Sequence, residues 1–245
     1  MTSANCPKAF LLAAGTGRRL APLTDIEPKC LLPVRGVPLL ALWLESLEAA
    51  GIREASLNTH WLPDRVNEFL ATWDHRRVNV RVTYEPVLLG SAGTIVANRD
   101  WAEDASEVLI LYADNLSDVR LSALLDFHRS HSMPFTLGVF RSDEPARCGI
   151  VETDEEGTVV GFVEKPEVPR SNLAAAGMYV ADPAILRELG PWDVKEDGPY
   201  DLGKHVLPRF IGRMKAFEAP GIVLDIGTFA SYLKAQTIRI ERDRT

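Results

Sequence analysis

The chain of 245 residues is long enough to bury a sizeable core as one large domain, and its 46% hydrophobic and 25% charged content is typical of globular proteins. Its formal net charge of -7 argues against a general nucleic-acid binder, which needs a basic face. No apolar run approaches the roughly 20 residues of a membrane span. Met1 to Pro7 show no secretory pattern, so we expect a cytoplasmic protein that binds neither nucleic acid nor membranes.

The first half of the chain alternates strand-like and helical segments. Apolar runs bounded by turn residues predict strands, and apolar residues at a helical period predict helices. In chain order, we predict a strand at Lys8–Ala14, a helix at Pro38–Ala50 that Gly51 ends, a strand at Glu54–Thr59, a helix at Leu62–Thr72, a strand at Val78–Tyr84, a helix at Gly93–Trp101, a strand at Glu107–Ala113, a helix at Leu121–Ser130 and a strand at Phe135–Arg141.

The pattern changes after about residue 145. We predict a hairpin of Gly149–Thr153 and Val159–Glu164, a strand at Ala174–Val180, helices at Pro183–Leu189 and Lys204–Ile211, short strands at Lys215–Glu218 and Ile222–Asp225, and a closing helix at Phe229–Arg242. Strands that alternate with helices indicate a Rossmann-like, three-layer α/β fold with a mostly parallel sheet. We expect a single domain over residues 1–245, with a small C-terminal substrate lobe from about residue 146.

The first predicted strand stops abruptly at Gly15-Thr16-Gly17, and Arg18, Arg19 and Lys29 follow. Glycines let a backbone approach a ligand closely and leave N–H groups able to point at an anion. The spacing fits neither a Walker A loop nor a Rossmann dinucleotide loop, in which Leu20 would have to be a glycine. A glycine pair beside three cations indicates a third kind of loop for a polyphosphate, although Gly-x-Gly alone is also common in plain turns.

Two aspartates end apolar segments. Asp114 follows the predicted strand Glu107–Ala113, and Asp225 ends the short strand Ile222–Asp225. Carboxylates at strand ends are natural ligands for Mg²⁺, which is usually held by one or two carboxylates, phosphate and water. Each aspartate taken alone favours a helix cap or a turn. Cys30 lies close to Lys29 in the chain, and we expect it to pack rather than react.

The string from Leu11 to Val34, with Pro28-Lys29 near its end, resembles the opening motif of the sugar-1-phosphate nucleotidylyltransferases. Arg19 falls on the arginine of that motif, whereas Arg18 stands where the family usually has threonine. The resemblance extends along nearly the whole chain, through Glu164-Lys165-Pro166 to Asp-Ile-Gly-Thr at residues 225–228. Within the family, the chain is most similar to mannose-1-phosphate guanylyltransferase-like enzymes, which share the Asp-Leu-Gly-x-x-Val-Leu-Pro pattern at residues 201–208.

This resemblance implies that a sugar 1-phosphate attacks the α-phosphate of an NTP, with Mg²⁺ as cofactor, to give an NDP-sugar and pyrophosphate. GTP is the expected nucleotide. The implied catalytic residues are Arg19, Lys29, Asp114, Lys165 and Asp225, of which Asp114 and Asp225 hold the metal. The implied nucleotide-binding residues are Ala13, Ala14, Gly15, Thr16, Gly17, Arg18, Glu85, Gly90, Ala92 and Gly93. The implied sugar-phosphate-binding residues are Asn115, Gly149, Glu164, Lys165 and Gly177.

Other functions remain open at this stage. A uridylyl- or cytidylyltransferase for another sugar or alcohol phosphate would share the opening motif. A nucleotide-binding regulatory relative without catalysis would keep the fold, although such chains lose charged site residues that are present here. The sequence does not decide whether the chain forms a homodimer.

Overall fold

A computed structural model of the chain describes residues 6–74, 77–190 and 198–239. It has the predicted α/β fold, in which helices flank a mostly parallel central sheet. The strands are β1 (Lys8–Leu12), β2 (Pro33–Val34), β3 (Val37–Pro38), β4 (Glu54–Thr59), β5 (Asn79–Tyr84), β6 (Val108–Tyr112), β7 (Asn115–Ser117), β8 (Phe135–Arg141), β9 (Gly149–Thr153), β10 (Val159–Glu164), β11 (Leu173–Ala181), β12 (Met214–Glu218) and β13 (Val223–Asp225). The helices are α1 (Leu23–Ile26), α2 (Leu39–Ala49), α3 (Pro63–Ala71), α4 (Ser91–Asn98), α5 (Leu121–Arg129), α6 (Pro183–Glu188) and α7 (Phe229–Thr237).

The chain divides into two compact units and passes between them several times. Of the described residues, unit 1 contains 6–8, 89–110, 123–190 and 198–220, and unit 2 contains 9–74, 77–88, 111–122 and 221–239. The expected start of the substrate lobe, near residue 146, therefore lies inside unit 1. In the described part of the chain, no helix has the length and apolar character needed to cross a membrane.

Unit 2 contains a parallel strand pair and one largely buried helix. Strands β4 and β5 pair in parallel, with Glu54 opposite Asn79 at the start of the ladder. Strand β1 is buried along its whole length, and α2 buries most of its side chains, as apolar residues around a helix predict. Strand β7 pairs antiparallel with β13. The Tyr232 hydroxyl on α7 donates to the carbonyl of Pro33 at 2.7 Å, which ties the last helix to β2.

Unit 1 is more antiparallel. Strand β11 pairs antiparallel with β8, and β9 pairs antiparallel with β10, whereas β12 pairs in parallel with β8. The ring of Phe135 on β8 packs between two others, with centroids 6.0 Å from Phe210 and 5.9 Å from Tyr179. These three buried rings form part of the core of unit 1.

Most predicted elements are confirmed, with corrections at places where the hydrogen-bond ladder is interrupted. The predicted helix Lys204–Ile211 is wrong in type: a π turn at Leu202–Val206 continues into a 3₁₀ turn at Leu207–Phe210. Pro208 has no N–H to donate, so an α-helical ladder cannot pass through it. The predicted helix Gly93–Trp101 begins two residues earlier and becomes a 3₁₀ turn after Asn98. The end predicted for the closing helix, at Arg242, lies outside the described residues.

Candidate active site

The loop after β1 contains the glycine pair. Gly15 has no positive φ, and an added Cβ there would meet no other heavy atom within 4 Å in the described part of the chain. Gly17 differs, because its φ of 63° is left-handed and an added Cβ would come within 2.8 Å of Cγ2 of Thr24. The fold therefore requires glycine at position 17. At position 15 it does not, which fits a backbone that a ligand approaches.

Hydrogen bonds fix both ends of this loop. The amide of Ala13 donates to Oδ1 of Asn58 at 2.7 Å, and Nδ2 of Asn58 donates to Oε1 of Glu85 at 2.9 Å. Asn58 and Glu85 are both buried. At the other end, the Thr24 hydroxyl donates to the carbonyl of Gly17 at 2.9 Å. Glu85 thus supports the loop through Asn58, and its predicted contact with a nucleotide stays a prediction.

Lys29 is the centre of a charged cluster in unit 2. Its side chain is only 7% exposed. Its Nζ donates to Oδ2 of Asp114 at 2.9 Å and to Oδ1 of Asp225 at 2.6 Å. Nη2 of the exposed Arg19 lies 3.7 Å from Oδ2 of Asp225. Unit 2 therefore brings together four of the five predicted catalytic residues, whereas Lys165 belongs to unit 1.

A short antiparallel ladder explains how aspartates so far apart in the chain converge. Strand β7 follows Asp114 directly and pairs with β13, so that Asn115 lies opposite Asp225. Nε1 of Trp43 on α2 donates to the carbonyl of Asn115 at 2.9 Å and anchors β7. The amide of Gly227 donates to Oδ1 of Asp225 at 2.8 Å, and an added Cβ at Gly227 would come within 2.9 Å of both carboxylate oxygens. Backbone pairing and this glycine thus set the position of Asp225.

The ammonium and carboxylates of this cluster shift one another's protonation. Burial lowers the pKa of Lys29, but the charges of Asp114 and Asp225 and hydrogen bonds to both raise it by more, so the net pKa lies above the usual value. Burial raises the pKa of Asp225, but the charge and hydrogen bond of Lys29 and the charge of Arg19 together lower it by more. Lys29 and Asp225 are therefore both charged at neutral pH.

Cys30 lies beside this cluster without taking part in it. Its side chain is buried, and burial, with a further contribution from the charge of Asp114, raises the pKa of its thiol to about 12. A thiol must lose its proton to act as a nucleophile or metal ligand. Cys30 is consequently an inert packing residue at neutral pH, as the sequence predicts.

The donor set of Asp114 and Asp225 fits a magnesium ion. One oxygen of each carboxylate contacts the same positive centre, Nζ of Lys29, so a single cation can be shared between them. Mg²⁺ prefers oxygen ligands and commonly uses only one or two carboxylates, with phosphate and water completing the coordination. Two aspartates that already share one cation meet that requirement.

In unit 1, the predicted base-binding loop packs against Tyr200. Gly90 has a φ of 83°, and an added Cβ there would come within 2.5 Å of the Tyr200 carbonyl oxygen. The amides of Ala92 and Gly93 donate to that same oxygen at 2.9 and 3.1 Å. The close approach of Tyr200 is thus the structural reason for glycine at position 90. The predicted contacts of these loop residues with a base stay predictions.

Glu164 and Lys165 lie at the end of β10. Nζ of Lys165 is 3.4 Å from Oε1 of Glu164, and the lysine side chain is 64% exposed. Lys165 has a φ of 48°, which is uncommon for a residue other than glycine and marks a candidate functional position. Gly149 pairs with Glu164 across the β9–β10 ladder, and an added Cβ there would come within 2.8 Å of Oε2 of Glu164. The structure thus groups three predicted sugar-phosphate residues.

The other two predicted sugar-phosphate residues lie on strands β11 and β7. Gly177 has a φ of 68° and lies in β11, where the pairing with β8 shifts register between Ala175 and Tyr179. A bulge of this kind turns a backbone segment out of the regular ladder. Asn115 belongs to unit 2, where it lies opposite Asp225. The predicted contacts of Gly177 and Asn115 with a sugar phosphate stay predictions.

Sequence reasoning missed several residues that hold these groups in place. Asn58 is a polar residue within the buried strand β4, and this was the available signal for its contact with the loop. Gly227 belongs to the Asp-Ile-Gly-Thr string, but only the structure shows its contact with Asp225. Ser91 and Asp201 form a hydrogen bond across 110 residues of chain, which no local pattern predicts.

The family model described as nucleotidyl transferase matches residues 8–241, so the chain belongs to that family. Mannose-1-phosphate guanylyltransferase catalytic subunit beta of Dictyostelium discoideum is 29% identical over 231 residues, covering 92% of this chain and 62% of that protein. Mannose-1-phosphate guanylyltransferase 1 of Arabidopsis thaliana is 31% identical over 232 residues, covering 92% and 63%. The chain thus spans less than two thirds of the length of either relative.

A solved structure shows the same fold. It is a Bacillus anthracis protein described as a glucose-1-phosphate thymidylyltransferase, in complex with sucrose. It matches this chain with a TM-score of 0.84 and 22% identity, over 97% of this chain and 98% of its own. The fold is therefore of the nucleotide-diphospho-sugar transferase type, and the expected Rossmann-like α/β architecture is confirmed.

Proposed function

We propose that this protein is a cytoplasmic sugar-1-phosphate nucleotidylyltransferase, which converts an NTP and a sugar 1-phosphate into an NDP-sugar and pyrophosphate. The observation that carries the proposal is the cluster of Lys29, Asp114 and Asp225 in unit 2. GTP and mannose 1-phosphate, or a closely related sugar 1-phosphate, are the favoured substrates. The two named relatives described as mannose-1-phosphate guanylyltransferases support that choice.

The chemistry of this reaction needs cations more than a general base. The second pKa of a phosphate monoester is about 6, so the attacking oxygen is already mostly ionised at neutral pH. That oxygen bonds to the α-phosphorus of the NTP while the bond to the bridging oxygen of pyrophosphate breaks. The electron pair leaves with pyrophosphate. The main barrier is the approach of two anions, which positioned positive charge lowers.

Unit 2 carries the groups that suit the triphosphate. We assign the β- and γ-phosphates to the backbone of the loop from Ala14 to Arg18, and the α-phosphate and the leaving pyrophosphate to Arg19 and Lys29. Asp114 and Asp225 would hold Mg²⁺, which supplies positive charge to the phosphates of both substrates. Because the aspartates raise the pKa of Lys29 despite its burial, its ammonium stays charged and available to phosphate oxygens.

Unit 1 carries the groups that suit the sugar phosphate and the base. The exposed ammonium of Lys165 is assigned to the sugar phosphate, and the Glu164 carboxylate, which can accept hydrogen bonds, to sugar hydroxyls. The loop from Gly90 to Gly93 is assigned to the base. The Glu164–Lys165 ion pair supports this pairing of roles, since it places an acceptor and a cation side by side.

The direct test is pyrophosphate release in the presence of Mg²⁺, with ATP, CTP, GTP, UTP and dTTP each combined with a panel of sugar 1-phosphates. We expect the highest rate with GTP and mannose 1-phosphate or a related sugar. Activity confined to another NTP would keep the reaction and overturn the assigned base. Nucleotide binding without pyrophosphate release from any combination would contradict the enzymatic function and favour a regulatory relative.

A further inference from the structure

Ser91 and Asp201 connect the loop assigned to the base with the segment of chain that lies beside Glu164, the residue assigned to sugar hydroxyls. The Ser91 hydroxyl accepts the amide of Leu202 at 2.8 Å and donates to Oδ2 of Asp201 at 3.1 Å. Oδ1 of Asp201 accepts the amide of Lys204 at 3.0 Å and so caps the π turn that follows. Ser91 is the first residue of α4 and lies in the loop assigned to the base.

Backbone hydrogen bonds strengthen the same connection. The amide of Tyr200 donates to the carbonyl of Leu89 at 2.8 Å, and the carbonyl of Tyr200 accepts the amides of Ala92 and Gly93. We call residues Tyr200–Gly203 the bridging segment. Five hydrogen bonds, two through the Ser91 hydroxyl and three through the backbone of Tyr200, fasten this segment to the loop from Leu89 to Gly93.

The other end of the bridging segment lies against Glu164. An added Cβ at Gly203 would come within 2.6 Å of Oε2 of Glu164 and 3.1 Å of its Cδ, and Gly149 approaches the same oxygen almost as closely. Burial first, and then the charges of Glu164 and Asp201, raise the pKa of Tyr179, so both carboxylates lie near this buried tyrosine. The Glu164 carboxylate thus occupies the space beside Gly203 that a side chain at that position would fill.

We propose that Ser91 and Asp201 are positioning residues, which set the place of the Glu164 carboxylate by fastening the bridging segment to the loop from Leu89 to Gly93. This inference rests on the proposed function, which assigns that loop to the nucleotide and Glu164 to the sugar. Its consequence is that the use of sugar phosphate depends on a serine in the nucleotide loop. A nucleotide that orders the loop also orders the carboxylate that receives the sugar.

The kinetic test compares two variants with a control. Ser91→Ala removes two hydrogen bonds of the connection, and we expect the KM for sugar 1-phosphate to rise about fivefold to tenfold. Gly203→Ala adds a Cβ that must displace the Glu164 carboxylate, so the sugar-phosphate KM rises while the NTP KM is unchanged. Ser106→Ala is the matched control: this serine of unit 1 also donates to a carboxylate, that of Glu107, and its loss leaves both KM values unchanged.

Two further measurements separate positioning from a local effect on the loop. If both substitutions act on the same carboxylate, the double variant of Ser91→Ala and Gly203→Ala raises the sugar-phosphate KM by less than the product of the single effects. Ser91→Thr keeps the hydroxyl and restores the wild-type KM. A Ser91→Ala variant in which only the NTP KM rises would overturn the inference, as would independent effects in the double variant.

Hydrogen exchange tests the fastening of the bridging segment even if the proposed function fails. If the wild-type protein releases no pyrophosphate from any combination, the amides of Ala92, Gly93, Leu202 and Lys204 can still be followed in wild type and Ser91→Ala. Faster exchange at both ends of the connection in the variant would support the fastening, because the amides of Ala92, Gly93 and Leu202 make its hydrogen bonds. The Lys204 amide donates to Asp201, which the Ser91 hydroxyl contacts. Exchange as slow as in the wild type would overturn it.

Discussion

The charged groups of the two units are held in place by different means. In unit 2, Lys29 is buried, and its position is fixed by charge, since one ammonium is shared by Asp114 and Asp225. In unit 1, Glu164 is fixed by shape, because two glycines leave the space that its carboxylate fills. Its ion pair with the exposed Lys165 is longer, at 3.4 Å. A cluster held by charge is sensitive to pH and to charge-removing substitutions, whereas one held by shape is sensitive to added volume.

The largest effect is expected from Lys29→Met in unit 2. This substitution leaves two carboxylates without their shared cation and removes a charge assigned to the phosphates. We expect turnover to fall about thousandfold, and the free energy of unfolding to fall by about 1–3 kcal/mol, since both aspartates are partly exposed. Pyrophosphate release and urea denaturation measure the two effects. Lys29→Arg keeps the charge and should lose less stability; wild-type stability of Lys29→Met would show that charge does not hold this cluster.

The pH dependence of the same variant tests the electrostatic origin of the loss. In the wild type, Lys29 lowers the pKa of Asp225, so this interaction stabilises the fold above the unfolded-state pKa and is lost as pH falls through the folded-state pKa. In Lys29→Met this lowering is lost, and the burial that raises the pKa of Asp225 is opposed by the charge of Arg19 and the hydrogen bond from Gly227. The stability difference between variant and wild type is therefore largest at pH 7 and shrinks as pH falls through about 4, the ordinary pKa of aspartate, towards the lowered folded-state pKa of Asp225. A difference independent of pH would indicate lost packing instead.

A smaller effect is expected from Lys165→Ala in unit 1. The side chain is largely exposed, so its removal leaves the free energy of unfolding unchanged within error. We expect the KM for the sugar 1-phosphate to rise about tenfold, as for the loss of one charge-assisted hydrogen bond, while the NTP KM stays the same. Lys234→Ala on α7 removes one lysine charge elsewhere and serves as the control. An unchanged sugar-phosphate KM in Lys165→Ala would remove Lys165 from the proposed site.

The smallest effect is expected from alkylation of the cysteines, an experiment that requires no substitution. Cys30 of unit 2 is buried with a thiol pKa of about 12, whereas Cys148 of unit 1 is partly exposed and Cys6 is exposed. Iodoacetamide at pH 8 should modify Cys6 first and Cys148 more slowly, and should leave Cys30 intact until the protein unfolds. Mass spectrometry of the native protein measures this order. Rapid modification of Cys30 would show that the interior of unit 2 opens.

Much of the fold could be predicted from the sequence because long buried strands and amphipathic helices carry clear periods. The ladder of β7 and β13 could not be predicted in this way. A strand of three residues is too short to show a hydrophobic period, and the residues that pair lie over a hundred positions apart in the chain. Pro208 was visible in the sequence, yet the predicted helix ran through it, and the structure has a π turn and a 3₁₀ turn instead. Local pattern thus predicted the elements, and long-range pairing decided how some of them end.

The candidate site, too, could be predicted from the sequence only in part. The glycine loop, Lys29 and the two aspartates could be picked from motifs, but the sequence did not show that Lys29 contacts both carboxylates. The glycines at 90 and 149 were assigned to ligands, whereas the structure shows that each also accommodates a neighbour, Tyr200 or Glu164. A glycine motif indicates that another group approaches the backbone closely. It does not show whether that group belongs to a ligand or to the protein itself.

We propose that Asp114 and Asp225 form one site that holds Mg²⁺ for the nucleotide. The most direct measurement is pyrophosphate release from GTP and mannose 1-phosphate as a function of Mg²⁺ concentration, for wild type, Asp114→Asn, Asp225→Asn and the surface control Asp64→Asn. With thermal unfolding confirming the fold, we expect each site variant to lose about hundredfold or more in turnover and the double variant to lose little further. Wild-type turnover and Mg²⁺ dependence in either site variant would contradict the account.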